Sequence, residues 1–149
     1  MFGKILSAGT LISTIALLIT VVIQIYGRFF MDSAPSWTEE AARVFFIYTM
    51  SFGAGLALRD NEYVQLDIFY NAMNEAWQKR LKVFFAICTV ALFVVTGIWS
   101  LQYVQMGTNE QSPSMGISMA IPFAGITLMA IAVTWYSVKE IIQTLRPNS

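Results

Sequence analysis

Ionisable side chains that could carry chemistry cluster in one place in this chain. The stretch "SWTEEAARVFF" sets Glu39, Glu40 and Arg43 directly against a strongly apolar run, with Trp37 just ahead of them. On a helix, Arg43 follows Glu39 by four and Glu40 by three, so either ion pair is within reach. Ser36 with Glu39 three residues later has the form of a capping box, and two acids in a first turn suit the positive end of the helix dipole. These charges therefore admit two uses. They finish a helix end, or, together with Arg28 and Asp32, they make a charged rim suited to orienting a polar partner.

Other reactive chemistry is scarce. The chain has no histidine, which excludes a histidine-ligated haem or metal site built from it alone. Its lone cysteine, Cys88, cannot form an internal disulfide, and no cysteine-based metal motif exists. No glycine-rich phosphate loop or nucleophile elbow is present. The sequence thus predicts no enzyme, no metal and no cofactor, and its zero net charge gives no reason to expect nucleic acid as a partner.

The elements that must position the cluster follow from charge spacing. Of 149 residues, 56% are hydrophobic and 12% charged, with mean hydropathy +0.60. Residues 5–27, 83–109 and 111–138 carry no charge over 23, 27 and 28 positions. Each exceeds the roughly 20 apolar residues that cross a ~30 Å hydrocarbon core as a helix. Residues 44–58 give only 15. Starting that helix at Trp37 lengthens it to 22 residues, or about 33 Å, and puts Glu39, Glu40 and Arg43 in its first two turns, near headgroup depth. The predicted fold is an all-α integral membrane protein, one domain over 1–149, with four transmembrane helices at 5–27, 37–58, 83–107 and 115–138. The first is expected to be retained, since its uncharged run is longer than the core of a signal peptide.

Seven of the nine lysines and arginines fall on the side of both termini and the central loop: Lys4, Arg59, Lys79, Arg80, Lys82, Lys139 and Arg146. The termini are accordingly expected in the cytoplasm. Between the second and third spans, apolar residues recur in steps of three and four over 63–81, the mark of an amphipathic interfacial helix. Its apolar side would meet either membrane lipid or a protein neighbour. Small residues Ser51, Gly53, Ala54, Gly55 and Ala57 would let another helix approach closely, whether from this chain or from a partner. Pro122 either begins the fourth helix or kinks a longer one, and the longer helix is the expectation.

The order of these motifs is similar to the small membrane subunit of tripartite ATP-independent periplasmic (TRAP) transporters, the DctQ-like family. Arg28 ends the first helix before an aromatic residue, and Trp37, Glu39, Glu40 and Arg43 resemble the family's Trp-x-Glu-Glu-x-x-Arg pattern. Gly53, Ala54, Arg59 and Asp67 resemble its Gly-Ala stretch, basic residue and acid, with Asp60 and Glu62 in the same cytoplasmic-side segment. Pro113, Gly116 and Ile117 look like its opening of the fourth helix. A Gly-x-His common in the family is replaced here by Asn61-Glu62-Tyr63, so no histidine role carries over. The resemblance implies a non-catalytic subunit of the bacterial inner membrane. Its partners would be a large membrane transport subunit, in a heterodimer, and a periplasmic substrate-binding protein. The implied activity is sodium-driven uptake of an organic acid of the C4-dicarboxylate or sialic-acid type. The competing reading of the residues alone is a self-sufficient homo-oligomeric exporter or channel.

Overall fold

A computed structural model of the chain describes residues 2–30, 35–60 and 74–145. Four helices make up nearly all of it: α1 (Phe2–Phe30), α2 (Ser36–Asp60), α3 (Glu75–Gly107) and α4 (Ala120–Leu145). All four are long and apolar enough to cross a membrane. Inside hydrocarbon a helix meets its backbone hydrogen-bonding needs internally, so uncharged runs of this length settle as helices. Asp32, Glu62 and Asp67 lie outside the described residues, as does the 63–73 part of the amphipathic stretch. Its remainder forms the beginning of α3, where the Arg80 guanidinium stands over the Trp77 ring, 5.8 Å from its centroid.

The spatial order differs from the chain order. α1 packs on α2, α2 on α4, and α4 on α3, giving a row α1–α2–α4–α3. Tyr48 and Gly55 of α2 meet Ile121 and Ala132 of α4 in ascending register, so these two helices run parallel. Between α3 and α4 the register descends, Gly97 beside Ala130 and Ser100 bonded to Thr127. The fourth helix is therefore inserted between the second and third, and it carries the largest set of buried residues.

Small side chains set this order. Burying apolar surface does not drive helices together in lipid, so close approach and its dispersion contacts must. A Cβ on Gly55 would lie 2.8 Å from that of Ala132 and 2.5 Å from Leu6 Cδ2, which makes this glycine the meeting point of three helices. Phe52 lays its ring over Gly9, and Ile47 fills the space beside Gly125. On α1 the buried residues are Leu6, Ser13, Thr20 and Gly27, one every seven, the repeat of a helix seam. Thr20 and Ser51 are buried without loss because their hydroxyls donate to the carbonyls of Ala16 and Ile47.

The expected fourth span at 115–138 needs correction at its start. α4 begins at Ala120, and Pro122 occupies its first turn, where no backbone donor is required. Residues 112–118 fold back on themselves instead of extending the helix. The helix nevertheless keeps 26 residues, about 39 Å, because it continues past Lys139 and Glu140 to Leu145. Glu140 forms an ion pair with Lys82 of α3 at 3.3 Å.

Packing at Gly55 yields a direct test. Gly55→Leu should destabilise the detergent-solubilised chain by about 1–3 kcal/mol through overpacking. Gly53→Ala should change little, since a Cβ there meets only Thr10 at 3.9 Å. Thermal unfolding of both variants checks the contrast, and equal losses would contradict the assigned helix order.

Candidate functional site

The charged end of α2 is built from its first turn. Pro35 precedes the helix, and its carbonyl accepts both the backbone N–H of Thr38 (3.1 Å) and the Thr38 hydroxyl (2.7 Å). Thr38 is almost wholly buried by this arrangement. Ser36 is already the first helical residue, and no hydrogen bond joins it to Glu39. The expected capping box is thus replaced by a threonine bonded back to the preceding proline carbonyl.

Glu39 and Arg43 are exposed, whereas Glu40 turns toward the loop between α3 and α4. No ion pair links Arg43 to either glutamate, contrary to the spacing argument. The Glu40 carboxylate is occupied elsewhere. It accepts the hydroxyl of Ser112, the backbone N–H of Ser114 (3.1 and 3.2 Å to its two oxygens) and that of Met115 (2.9 Å). An ionised acceptor makes such bonds stronger than neutral pairs, and here one anion gathers three donors from a single turn.

That turn belongs to a small closed hairpin. Ser112 N–H donates to the Ile117 carbonyl at 2.8 Å, Met119 N–H to Glu110 at 3.0 Å, and Gly116 N–H back to Ser112 at 3.0 Å. Gly116 has φ +65°, a conformation glycine adopts without steric cost. At the neck, a Cβ on Gly107 would lie 2.7 Å from the Ala120 nitrogen, so the two strands of chain can touch only at a glycine. The Ser118 hydroxyl spans the same neck, donating to the Gly107 carbonyl at 2.9 Å and accepting the Ala120 N–H at 3.2 Å, which caps α4. Pro113, Gly116 and Ile117 therefore shape a hairpin ahead of the fourth helix rather than its opening turn. The tip from Pro113 to Gly116 is exposed.

The other predicted residues separate into distinct places. Arg28 is exposed in the last turn of α1, and Trp37 is exposed beside Glu39. Ser51 and Gly55 are buried between helices of this chain, Gly53 and Ala54 are half-buried, and Ala57 is exposed. At the far end of α2, Arg59 forms a bidentate pair with Asp60 (2.6 and 2.8 Å) and its stem covers Gly3. Among the described residues no three carboxylate or thiol side chains gather as a metal site.

Sequence reading missed Ser112, the partner of Glu40 that lies 72 positions away. It also missed Tyr48, whose hydroxyl donates to the Ile121 carbonyl at 2.9 Å, and the Lys82–Glu140 pair. The turn itself was announced by Pro113 and Gly116, both turn formers. Removing the anchor should free the hairpin. In lipid nanodiscs, Glu40→Ala should speed amide hydrogen exchange of residues 112–117 by about ten-fold or more, while Arg43→Ala leaves it unchanged. Equal protection in wild type and Glu40→Ala would show that the hairpin holds its shape alone.

Comparison with known proteins agrees with this architecture. Residues 17–147 match the family model described as tripartite ATP-independent periplasmic transporters, DctQ component. A TRAP transporter small permease protein of Haemophilus influenzae is 25% identical over 141 residues, covering 93% of this chain and 86% of that protein. The sialic acid TRAP transporter small permease protein SiaQ of Vibrio cholerae is 23% identical over 119 residues, 76% of this chain and 69% of that one. The sialic acid TRAP transporter permease protein SiaT of Haemophilus influenzae is 29% identical over 126 residues, which are 83% of this chain but 20% of that longer protein. The chain belongs to the DctQ component family of tripartite ATP-independent periplasmic transporters, as a multi-pass protein of the bacterial inner membrane.

Proposed function

We propose that this chain is the non-catalytic small subunit that scaffolds a large transport subunit in the bilayer and helps dock a periplasmic binding protein. The cargo is an organic acid of the C4-dicarboxylate or sialic-acid type, and a sodium gradient drives its uptake. Both termini face the cytoplasm, so Arg28, Trp37, Glu39, Arg43 and the 112–118 hairpin face the periplasm.

One observation carries this reading: four helices stand in an open row, and most of the hydroxyls between them are bonded within the chain. Ser100 and Thr127 bond each other at 3.0 Å, Tyr48 bonds a carbonyl, and the hydroxyls of Ser13, Thr20 and Ser51 bond their own helices, while the Thr49 hydroxyl is buried without a partner. Intramembrane ionisable groups are the usual equipment of a solute path. Among the described residues the ion pair joining two of these helices, Lys82–Glu140, stands toward the end of α4. Large apolar side chains such as Leu11, Ile12, Val22, Leu92 and Ile98 remain exposed on α1 and α3, ready for lipid or a larger protein. Family membership supports the large permease as that protein. SiaT supports it further, since this chain's counterpart there is one part of a much longer permease. The unequal distribution of lysine and arginine supports the orientation.

Docking follows from what remains free at the rim. Glu40 is engaged by the hairpin, which leaves Glu39 and Arg43 as exposed charges able to orient a soluble partner. Purified in mild detergent, the chain should bring down a much larger membrane protein, and alone in liposomes it should move no organic acid under a sodium gradient. Uptake by the chain alone would refute the assignment. With the complete transporter, Glu39→Lys combined with Arg43→Glu should raise the binding-protein concentration needed for half-maximal uptake several-fold and leave the membrane complex intact. An unchanged concentration dependence would remove the rim from docking.

A further inference from the structure

Between α3 and α4 lies a groove of about 750 Å³, with Leu101 on one wall and Thr127, Thr134, Trp135 and Val138 on the other. Phe2, stacked on Tyr136 with ring centroids 6.0 Å apart, lines it from α1. Its volume is that of a ligand site, roughly 300–1,000 Å³. Its lining is almost wholly apolar: of its two hydroxyls, that of Thr127 is already bonded to Ser100, which leaves only that of Thr134. What it does have is a direction. From Thr127 to Val138 the groove follows α4 over twelve residues, a rise of about 16 Å, which is one leaflet of a ~30 Å hydrocarbon core. A transmembrane helix from another protein needs a surface about twice as long.

Charge marks the end of the groove nearer the termini. Lys139 follows Val138 directly, and its ammonium stands 5.3 Å from the centre of the Trp135 ring and 5.9 Å from that of Tyr136. A lysine laid along an aromatic ring at a span end is the arrangement of headgroup depth. Lys82 is neutralised by Glu140 at 3.3 Å, whereas Lys139 is exposed and forms no ion pair among the described residues. We propose that the α3–α4 groove holds an acyl chain of an anionic phospholipid from the leaflet on the side of the termini, with Lys139 binding its phosphate.

This site does not depend on the transport assignment and is testable on the full chain alone. The chain is purified in mild detergent containing equimolar phosphatidylglycerol and phosphatidylcholine, and retained lipids are counted by native mass spectrometry. Wild type should retain phosphatidylglycerol preferentially, Lys139→Gln should reduce that preference roughly five-fold, and Thr134→Phe should reduce retention of both lipids. Lys139 is exposed, so its variant decides the matter even where Thr134→Phe fails to fold. Equal retention of the two lipids, unaltered by Lys139→Gln, would overturn the proposal. So would a cysteine at Ile131, in a Cys88→Ser background, that crosslinks in native membranes to a helix of a second protein.

Discussion

The contact of Gly55 with Leu6 and Ala132 is the constraint on which the rest of the arrangement depends. In lipid, an exposed leucine and a buried leucine differ little in free energy, so helices choose neighbours by how closely their backbones can approach. α2 and α4 carry the small residues that permit this approach, Ser51 and Gly55 on one, Gly125 and Ala132 on the other. α4 accordingly takes the place beside α2, and α3, which pairs with α4, is displaced to the outside. Order in space then parts from order in sequence.

Polar anchors at several depths fix the register that close packing allows. Near the Ser36 end, Glu40 ties α2 to the hairpin that feeds α4, and Tyr48 ties α2 to the Ile121 carbonyl beside Pro122. Within the bilayer, Ser100 and Thr127 join α3 to α4, and at the opposite end Lys82 and Glu140 do the same. Each joins groups that would be costly to leave unpaired in or near hydrocarbon. The anchors therefore specify one arrangement rather than supply most of its stability. The same logic gives Glu40 a role different from that of its neighbours: its charge faces the protein's own backbone, while Glu39 and Arg43 face outward.

Much of this was legible in the sequence, for definite reasons. Unbroken runs of uncharged residues can do little in a membrane except form spanning helices, so their number and approximate limits could be read directly. Small residues around Gly55 announced a close helix contact without naming the partner. The row order was not legible, because small-residue spacing on α2 is equally consistent with α1, α3 or α4 as a neighbour. Spacing put both Glu39 and Glu40 within reach of Arg43, yet for Glu40 a turn 72 positions away supplies three donors at once. A longer helix kinked at Pro122 was preferred to one starting there because a helix ended before Lys139 would be short, yet α4 runs on past Lys139 and Glu140 to Leu145.

An open row has two outer helices that do not support each other, an arrangement in keeping with the proposed role beside a companion in the membrane. The most direct measurement is the distance between spin labels at Val22 on α1 and Tyr103 on α3, in a Cys88→Ser background in nanodiscs. Neighbouring helices pack about 8–10 Å apart, so the row predicts a separation of about 20 Å or more. A distance near 10 Å would mean a closed four-helix bundle and would contradict the account.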